Sequence, residues 1–326
     1  MCLYPKLIKN RKYVANKKNK GVIPAANDKR VLYVPVGCGK CMECRKQKAN
    51  GWKIRLQEDL RVNKNAMFIT MTYSDEELVK LEKEVKELEG YDVDNEVARI
   101  SVRRFTENWR KEYKKTIRHW LVTEIGGNNT ERLHIHGIVW TDKKFEDIQR
   151  KWKYGNVILG NGKGKHYVND ETVGYIVKYI SKVDEKHKEY MSKMFVSKGI
   201  GKEYVNREDS KRNKYKKGET KETYITQTGQ ELALPIYYRN KIYTDEEKEK
   251  LWIEKLDKEE RWVDGVKVDV SKSYDEYYKL LVNKRVKNER LGYGNDEYNW
   301  ELKKYEQKRR NLKKQERLKK EWEKGQ

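Results

Sequence analysis

His134 and His136 flank a single apolar residue, Ile135, in the run Leu133-His134-Ile135-His136-Gly137-Ile138-Val139-Trp140. In a β-strand the side-chain period is two, so both imidazoles project from one face. That is the geometry of two ligands for one metal ion, and neutral imidazole suits manganese, zinc and similar ions. A hairpin turning near Asn129 brings Glu124 opposite the pair, as an approximate cross-strand neighbour of His134. Two imidazoles and a carboxylate leave open positions for substrate oxygens. His119 is a poorer third ligand, because it lies five residues from Glu124 and so faces the other way. The competing reading of the histidine pair is two surface histidines. On a helical wheel, Tyr175, Lys178, Tyr179 and Lys182 fall in one stripe, beside a core-facing stripe of Ile176, Ile180 and Val183. The spacing predicts two phenols and two ammonium groups on a shared exposed face. A phenol is a nucleophile when a metal polarises the phosphate it attacks. The lysines can neutralise that phosphate and steady the forming phenolate. The competing reading, in a chain with 23 tyrosines, is that one or both only pack at the edge of the core.

Four cysteines form a second constellation: Cys2, Cys38, Cys41 and Cys44. The last three read C-x2-C-x2-C, with Gly39-Lys40 between the first two, and resemble a zinc knuckle. Three ligands leave a tetrahedral zinc one short, and Cys2 can close it. A structural Zn2+ on four thiolates is one reading; reduced free thiols at a helix start is the other. Disulfides are not expected, because nothing indicates export.

These groups need elements to position them. Residues 45–62 read as a helix, with Trp52, Leu56 and Leu60 at i, i+4 and i+8. Residues 66–73 are β-branched and aromatic, and read as a buried strand. Ser74-Asp75-Glu76-Glu77 is a capping box that opens an acidic helix with Leu78, Leu81, Val85 and Leu88 on one side. Residues 99–115 read as a helix. Residues 118–125 and 133–140 read as paired strands joined by a turn at Gly126-Gly127-Asn128-Asn129. Residues 144–152 look helical, 155–166 read as a glycine-rich loop, and 170–183 as a helix. Beyond residue 200 the pattern is more polar. Residues 205–222 suggest a linker or exposed loop. Thr244-Asp245-Glu246-Glu247 is a second capping box, opening a helix through Leu251, Trp252 and Leu256. Residues 297–324 read as a charged helix or a disordered tail.

The chain has 326 residues, 75 Lys and Arg, 52 Asp and Glu, and a net charge of +23. Charged residues are 39% and apolar residues 36%, so a single large core is not expected. Residues 1–65 hold 17 bases and 4 acids, and residues 301–326 hold 11 bases and 5 acids. Residues 74–98 run the other way, with 10 acids and 3 lysines. The excess fits a polyanion, nucleic acid first. Arg45, Lys46, Lys48, Lys53 and Arg55 on the first helix, with Lys182, are the candidate DNA contacts. The acidic stretch would be repelled by DNA, and is expected away from the active site. No apolar run approaches the length of a membrane span, and residues 1–10 have no apolar signal core. No Walker-type G-x-x-x-x-G-K-[ST] is present, so unwinding needs a partner.

Three segments in order, Phe68-Ile69-Thr70-Met71-Thr72-Tyr73, His134-Ile135-His136-Gly137 and Tyr175-Ile176-Val177-Lys178-Tyr179, resemble the three motifs of HUH endonucleases that initiate rolling-circle replication. The two-tyrosine form is similar to the initiators of small single-stranded DNA phages, the microviruses. Met1-Cys2-Leu3-Tyr4-Pro5 and Cys38-Gly39-Lys40-Cys41-Met42-Glu43-Cys44-Arg45 resemble the gokushovirus-type branch. The resemblance covers roughly residues 1–200, and extends less specifically to Leu234-Pro235-Ile236-Tyr237-Tyr238-Arg239.

The resemblance implies an α+β fold: an HUH endonuclease core with a central antiparallel sheet, ferredoxin-like in layout, flanked by helices and carrying basic helical extensions. It implies a basic cysteine-rich segment over 1–50, the endonuclease domain over 51–200 and a mainly helical region over 201–326. His134 and His136 would be the metal pair for Mg2+ or Mn2+, with Glu124 as third ligand. Tyr175 and Tyr179 would be the nucleophiles and Lys178 a phosphate support. The implied activity is site-specific nicking and rejoining of single-stranded origin DNA through a 5′-phosphotyrosine. The i, i+4 spacing sets the phenols about 5–6 Å apart at Cβ, which suits alternating use. Implied partners are a host helicase and DNA polymerase, in the cytoplasm of the host bacterium. The rival reading is a non-catalytic zinc-knuckle nucleic-acid-binding protein, with Trp52, Trp109 and Tyr113 as stacking platforms. A histidine-triad nucleotide hydrolase needs another alternating histidine, and Ile138 stands there instead.

Overall fold

The computed structural model describes residues 2–126, 131–160, 168–295 and 300–324. Positions 127–129 of the expected turn and 161–166 of the glycine-rich loop lie outside them. In chain order the elements are β1 (Lys6–Lys9), β2 (Tyr33–Val36), α1 (Met42–Val62), β3 (Ala66–Met71), α2 (Asp75–Glu84), α3 (Tyr91–Tyr113), β4 (Arg118–Ile125), β5 (Leu133–Trp140), α4 (Phe145–Lys151), β6 (Val157–Leu159), α5 (Asp170–Ser181) and β7 (Met194–Val196). There follow β8 (Thr223–Ile225), β9 (Glu231–Ala233), α6 (Ile236–Ile242), α7 (Asp245–Asp257), β10 (Glu260–Val263), β11 (Val266–Asp269), α8 (Asp275–Arg290) and α9 (Trp300–Lys324). The chain divides into two units: residues 1–51 with 203–298, and residues 52–202 with 299–326. The cysteine-rich segment therefore folds with most of the C-terminal region, and the last helix joins the central domain.

The second unit is built on a five-stranded antiparallel sheet in the order β6-β3-β5-β4-β7. Its two faces follow from the strand period. Ile69, Met71, Leu121, Leu133, Ile135 and Val139 point to one face, and pack with Leu78, Leu81, Val97 and Phe105 of α2 and α3. The even-numbered residues of β3, β4 and β5 point to the other face, beneath α5. Register is held where the sheet is tightest. Gly137 pairs with both Ile69 and Leu121, and a Cβ there would lie 2.1 Å from the Trp120 carbonyl oxygen. Only glycine lets the strands approach so closely.

The acidic stretch lies on the face opposite the histidines, as its apolar residues require. Its first helical residue, Asp75, reaches the start of β5 through a 2.6 Å ion pair with Arg132. Its acids have a partner that the sequence pattern does not show. The tail, read as a charged helix or disorder, is the helix α9, and its bases dock on this stretch. Arg310 is buried against Asp94 and also donates to the Glu131 carbonyl. Arg317 pairs with Glu82 at 2.7 Å, and Lys314 donates to the Gly90 carbonyl at 2.8 Å. Gly90 has φ +57°, and a Cβ there would meet Gln307.

In the first unit, Leu3 and Cys41 pack against Val263 and Leu281, which ties the N-terminal segment to β10 and α8. The buried Asn288 accepts from the Met42 amide at 2.8 Å, at the start of α1. Residues 205–222 are not a plain linker. Two short 3-10 helices, Lys202–Asn206 and Glu208–Asn213, turn around a fully buried Asn213. Its amide donates to the Lys221 and Thr223 carbonyls, and the Tyr204 hydroxyl donates to it. No helix among the described residues is long and apolar enough to cross a membrane.

Candidate active site

The β4–β5 ladder pairs Glu124 with His134, and Val122 with His136. Both histidines and the glutamate therefore share the α5 face. His136 is the hub. Its Nε2 lies 2.9 Å from Glu124 Oε2, and its Nδ1 lies 3.0 Å from Thr70 Oγ1. The Tyr179 ring stacks on its ring, with centroids 4.3 Å apart and planes within 3°. The Tyr179 hydroxyl donates to the Tyr175 hydroxyl at 2.8 Å. Tyr175 in turn meets the edge of Phe68 at 6.0 Å between centroids. Lys182 donates to Glu124 Oε1 at 2.6 Å.

The helix that carries the tyrosines is started by Asn169, whose side chain accepts from the Thr172 amide. It buries Val173, Ile176, Val177 and Ile180, which leaves Lys178 exposed. The two phenols differ, contrary to the expected shared exposed face. Tyr175 is 39% exposed, whereas Tyr179 is 9% exposed. Tyr179 lies at the border of the apolar stripe, and the stack on His136 covers its ring.

The charges in the site offset one another. Burial raises the Glu124 pKa, but the bonds from His136 and Lys182 outweigh it and leave the carboxyl below its ordinary value. Burial pushes the His134 pKa down, and His136 adds to the effect. His134 is thus kept neutral, with a lone pair free to ligate. Burial opposes the Lys182 ammonium, but Glu124 more than restores it and holds the pKa up. Burial, then the bond with Tyr175, raises the Tyr179 phenol.

The histidine rings stand 6.2 Å apart between centroids. Among the described residues, the group of three or more candidate ligands whose donor atoms all lie within 4.8 Å of one another is the cysteine set, not this trio. His119 is outside the site, with Nδ1 at 3.0 Å from the Ile117 carbonyl and 3.2 Å from Ser197 Oγ. Thr70 and Phe68 are contacts that the residue pattern does not single out. The signal is present in β3, because Thr70 pairs with His136 and shares its face.

The basic residues assigned to DNA divide into two groups. Arg45 is buried and lies over the Tyr293 ring. Arg55 donates to the Ile200 carbonyl at 3.0 Å and covers the Trp52 ring. Lys46 pairs with Asp264 at 3.4 Å, and Lys182 with Glu124. Lys48 is exposed and Lys53 half-buried. Of the proposed stacking platforms, Trp109 is in the core against Phe105.

Cys2, Cys38, Cys41 and Cys44 converge with all four Sγ atoms within 4.8 Å of one another. Cys2 and Cys41 are 3.9 Å apart at sulfur, and Cys38 and Cys44 are 4.0 Å apart. Four thiolates on a tetrahedral zinc stand about 3.8 Å apart, given Zn–S bonds of about 2.3 Å. Amides also donate to the sulfurs: Cys38 and Tyr4 to Cys2, and Cys41 to Cys38. Gly39, at φ +78°, makes the turn. Bonding from Cys44 pulls the Cys41 thiol down to about 4, while burial pushes Cys2 up to about 11. The cluster can therefore hold a metal.

Residues 66–184 match a family model of replication-associated proteins, the ORF2 type. The match is consistent with a rolling-circle replication initiator family. It runs from the start of β3 past α5, and so contains every residue of the site. No curated protein and no solved structure matches the chain.

Proposed function

We propose that the chain initiates rolling-circle DNA replication by nicking and rejoining single-stranded origin DNA through a 5′-phosphotyrosine. The observation that carries this reading is the Tyr179–His136 stack, with Tyr175, Glu124 and Thr70 in hydrogen-bonded continuity around it. Two neutral imidazoles and an ionised carboxylate are a donor set that fits a divalent cation, and the Thr70 hydroxyl orients His136 as an outer partner orients a ligand. His134, His136 and Glu124 would hold Mg2+ or Mn2+, which when bound polarises the scissile phosphate.

Tyr175 is the accessible phenol and takes the first attack. Its oxygen bonds to phosphorus, the bond to the 3′ oxygen breaks, and the strand leaves with a free 3′-OH. Lys178, exposed one turn away, neutralises the phosphate. Tyr179 donates to the Tyr175 oxygen and steadies charge there. In the second half-reaction Tyr179 leaves the stack and attacks the regenerated site. The 3′-OH that it releases displaces Tyr175 from its phosphate and closes the circle. Unwinding and extension fall to a host helicase and DNA polymerase in the host bacterium's cytoplasm. The four cysteines hold a structural Zn2+ in this reading. A purely non-catalytic zinc-knuckle protein leaves the histidine–tyrosine stack without a use.

The test is incubation of the protein with single-stranded origin DNA and Mn2+. A covalent protein–DNA adduct is expected, lost with EDTA and lost in the Tyr175→Phe/Tyr179→Phe variant. An adduct that survives the double substitution overturns the mechanism.

A further inference from the structure

A cleft of about 880 Å³ lies within the first unit, between the segment 10–34 and α7. That volume is within the range of small-molecule sites. Its wall is apolar, formed by Trp252, Pro24, Val31 and Val34. Its rim is cationic: five bases and three acids line it. Two of the acids are already engaged. Glu249 takes Lys12 at 3.0 Å and the Tyr13 hydroxyl at 2.9 Å, and Asp245 takes Lys18 at 2.7 Å and Lys248 at 3.2 Å. Arg11 and Lys17 are exposed and have no ion-pair partner among the described residues. The loop that presents Lys17 is stiffened by its asparagines. Asn16 accepts from the Lys18 amide at 2.8 Å, and Asn19 donates to the Val14 carbonyl at 2.8 Å.

We propose that this cleft is a second single-stranded DNA subsite, which takes one unpaired base against Trp252 and the adjoining phosphates on Arg11 and Lys17. An indole face with apolar sides stacks any base, and two unpaired cations at the rim suit the phosphates on either side of it. The proposal rests on the reading of the chain as acting on single-stranded DNA. It adds a contact remote in sequence from the histidines and tyrosines, so that a strand can be held while it is cut and rejoined. Seven of the lining residues come from the basic run 10–19, which gives this charge a specific use beyond general attraction.

The full-length protein is titrated in EDTA with a labelled dT oligonucleotide, so that binding is read without cleavage. Arg11→Ala/Lys17→Ala is expected to bind about tenfold more weakly, with the salt dependence flattened by about 1.4 in log–log slope for two lost contacts. Trp252→Ala is expected to lose at least about fivefold, and Trp252→Phe to retain most of the affinity. On an abasic oligonucleotide of the same length, wild type and Trp252→Ala should bind alike. Unchanged affinity in the Arg11/Lys17 variant overturns the proposal. So does a Trp252→Ala loss of equal size on the abasic strand, which would mark a folding defect. Thymidine monophosphate binding as tightly as the oligonucleotide would reassign the cleft to a free nucleotide. Adduct formation at saturating DNA is expected unchanged in the Arg11/Lys17 variant. Absence of adduct in the wild type would strike the catalytic reading, and leave the binding comparison to judge the cleft.

Discussion

His136 is asked to do three things at once, and each uses a different part of the ring. Nδ1 meets Thr70, Nε2 meets Glu124, and the ring face meets Tyr179. The stack makes the two tyrosines unequal. Tyr175 is open, while Tyr179 is covered and its phenol is pushed up by burial. Tyr175→Phe should therefore abolish the first nick, with a loss of at least about 100-fold in single-turnover cleavage, the scale of removing an essential nucleophile. Tyr179→Phe keeps the ring on His136 and loses only the bond to Tyr175. It should leave a first nick of similar extent but block closure of the circle. Single-turnover adduct yield and circular product, measured side by side, separate the two. Equal loss in both variants would contradict the ordered use of the phenols.

At the scale of the elements, the strands are plain in the sequence and the helix faces are not. Period-two patterning places 118–125 and 133–140 as a hairpin, and the ladder pairs Glu124 with His134. That works because one face of each strand is apolar throughout, so a slip by one residue would bury the histidines. The helical wheel is a coarser guide. Tyr179 sits at the boundary between stripes, and whether it faces solvent or His136 is decided by where β5 lies beneath it. Residues 205–222 show the same limit, because their polar side chains satisfy one another around Asn213 in place of an apolar core. Gly137 is where sequence and sheet agree most tightly. A methyl group there would strike the Trp120 carbonyl and Leu121 Cα, both backbone atoms that cannot turn aside. Gly137→Ala should cost about 3 kcal/mol, the upper part of the usual overpacking range. It should also separate Glu124 from His136. Urea unfolding measures the first effect, and a stability equal to wild type would show that the strands can part without cost.

For the molecule as a whole, the +23 charge divides into charge that can meet DNA and charge that holds the chain to itself. Arg310, Lys314 and Arg317 of the tail belong to the second kind, facing Asp94 and Glu82. Composition cannot show this, because an exposed lysine and a buried arginine read alike until the acid that receives them is placed. Burial raises the Asp94 carboxyl, but Arg310 and then Lys314 outweigh it, so its pKa is held below the ordinary value. A carboxyl depressed in the folded state gives stability that is complete above its unfolded pKa, about 3.9, and is lost as pH falls through the folded value. Lys314 works in the other direction. Burial pushes its ammonium down to about 8, against about 10.4 when unfolded. Between those values the unfolded chain holds the extra proton, so stability rises with pH. Urea midpoints of the full chain should therefore climb from about pH 8 toward about pH 10 and fall in acid. Lys314→Met should remove the alkaline climb. Asp94→Asn should flatten the acid limb while lowering the whole curve by about 3–5 kcal/mol, because it strands Arg310 in the core. Replacing Asp94 and Arg310 together by leucine should recover most of that loss, since the cost lies in the unpaired charge and not in the absent pair. A flat wild-type profile above about pH 8, or a double variant as weak as Asp94→Asn, would mean that the tail is held by something other than this buried cluster.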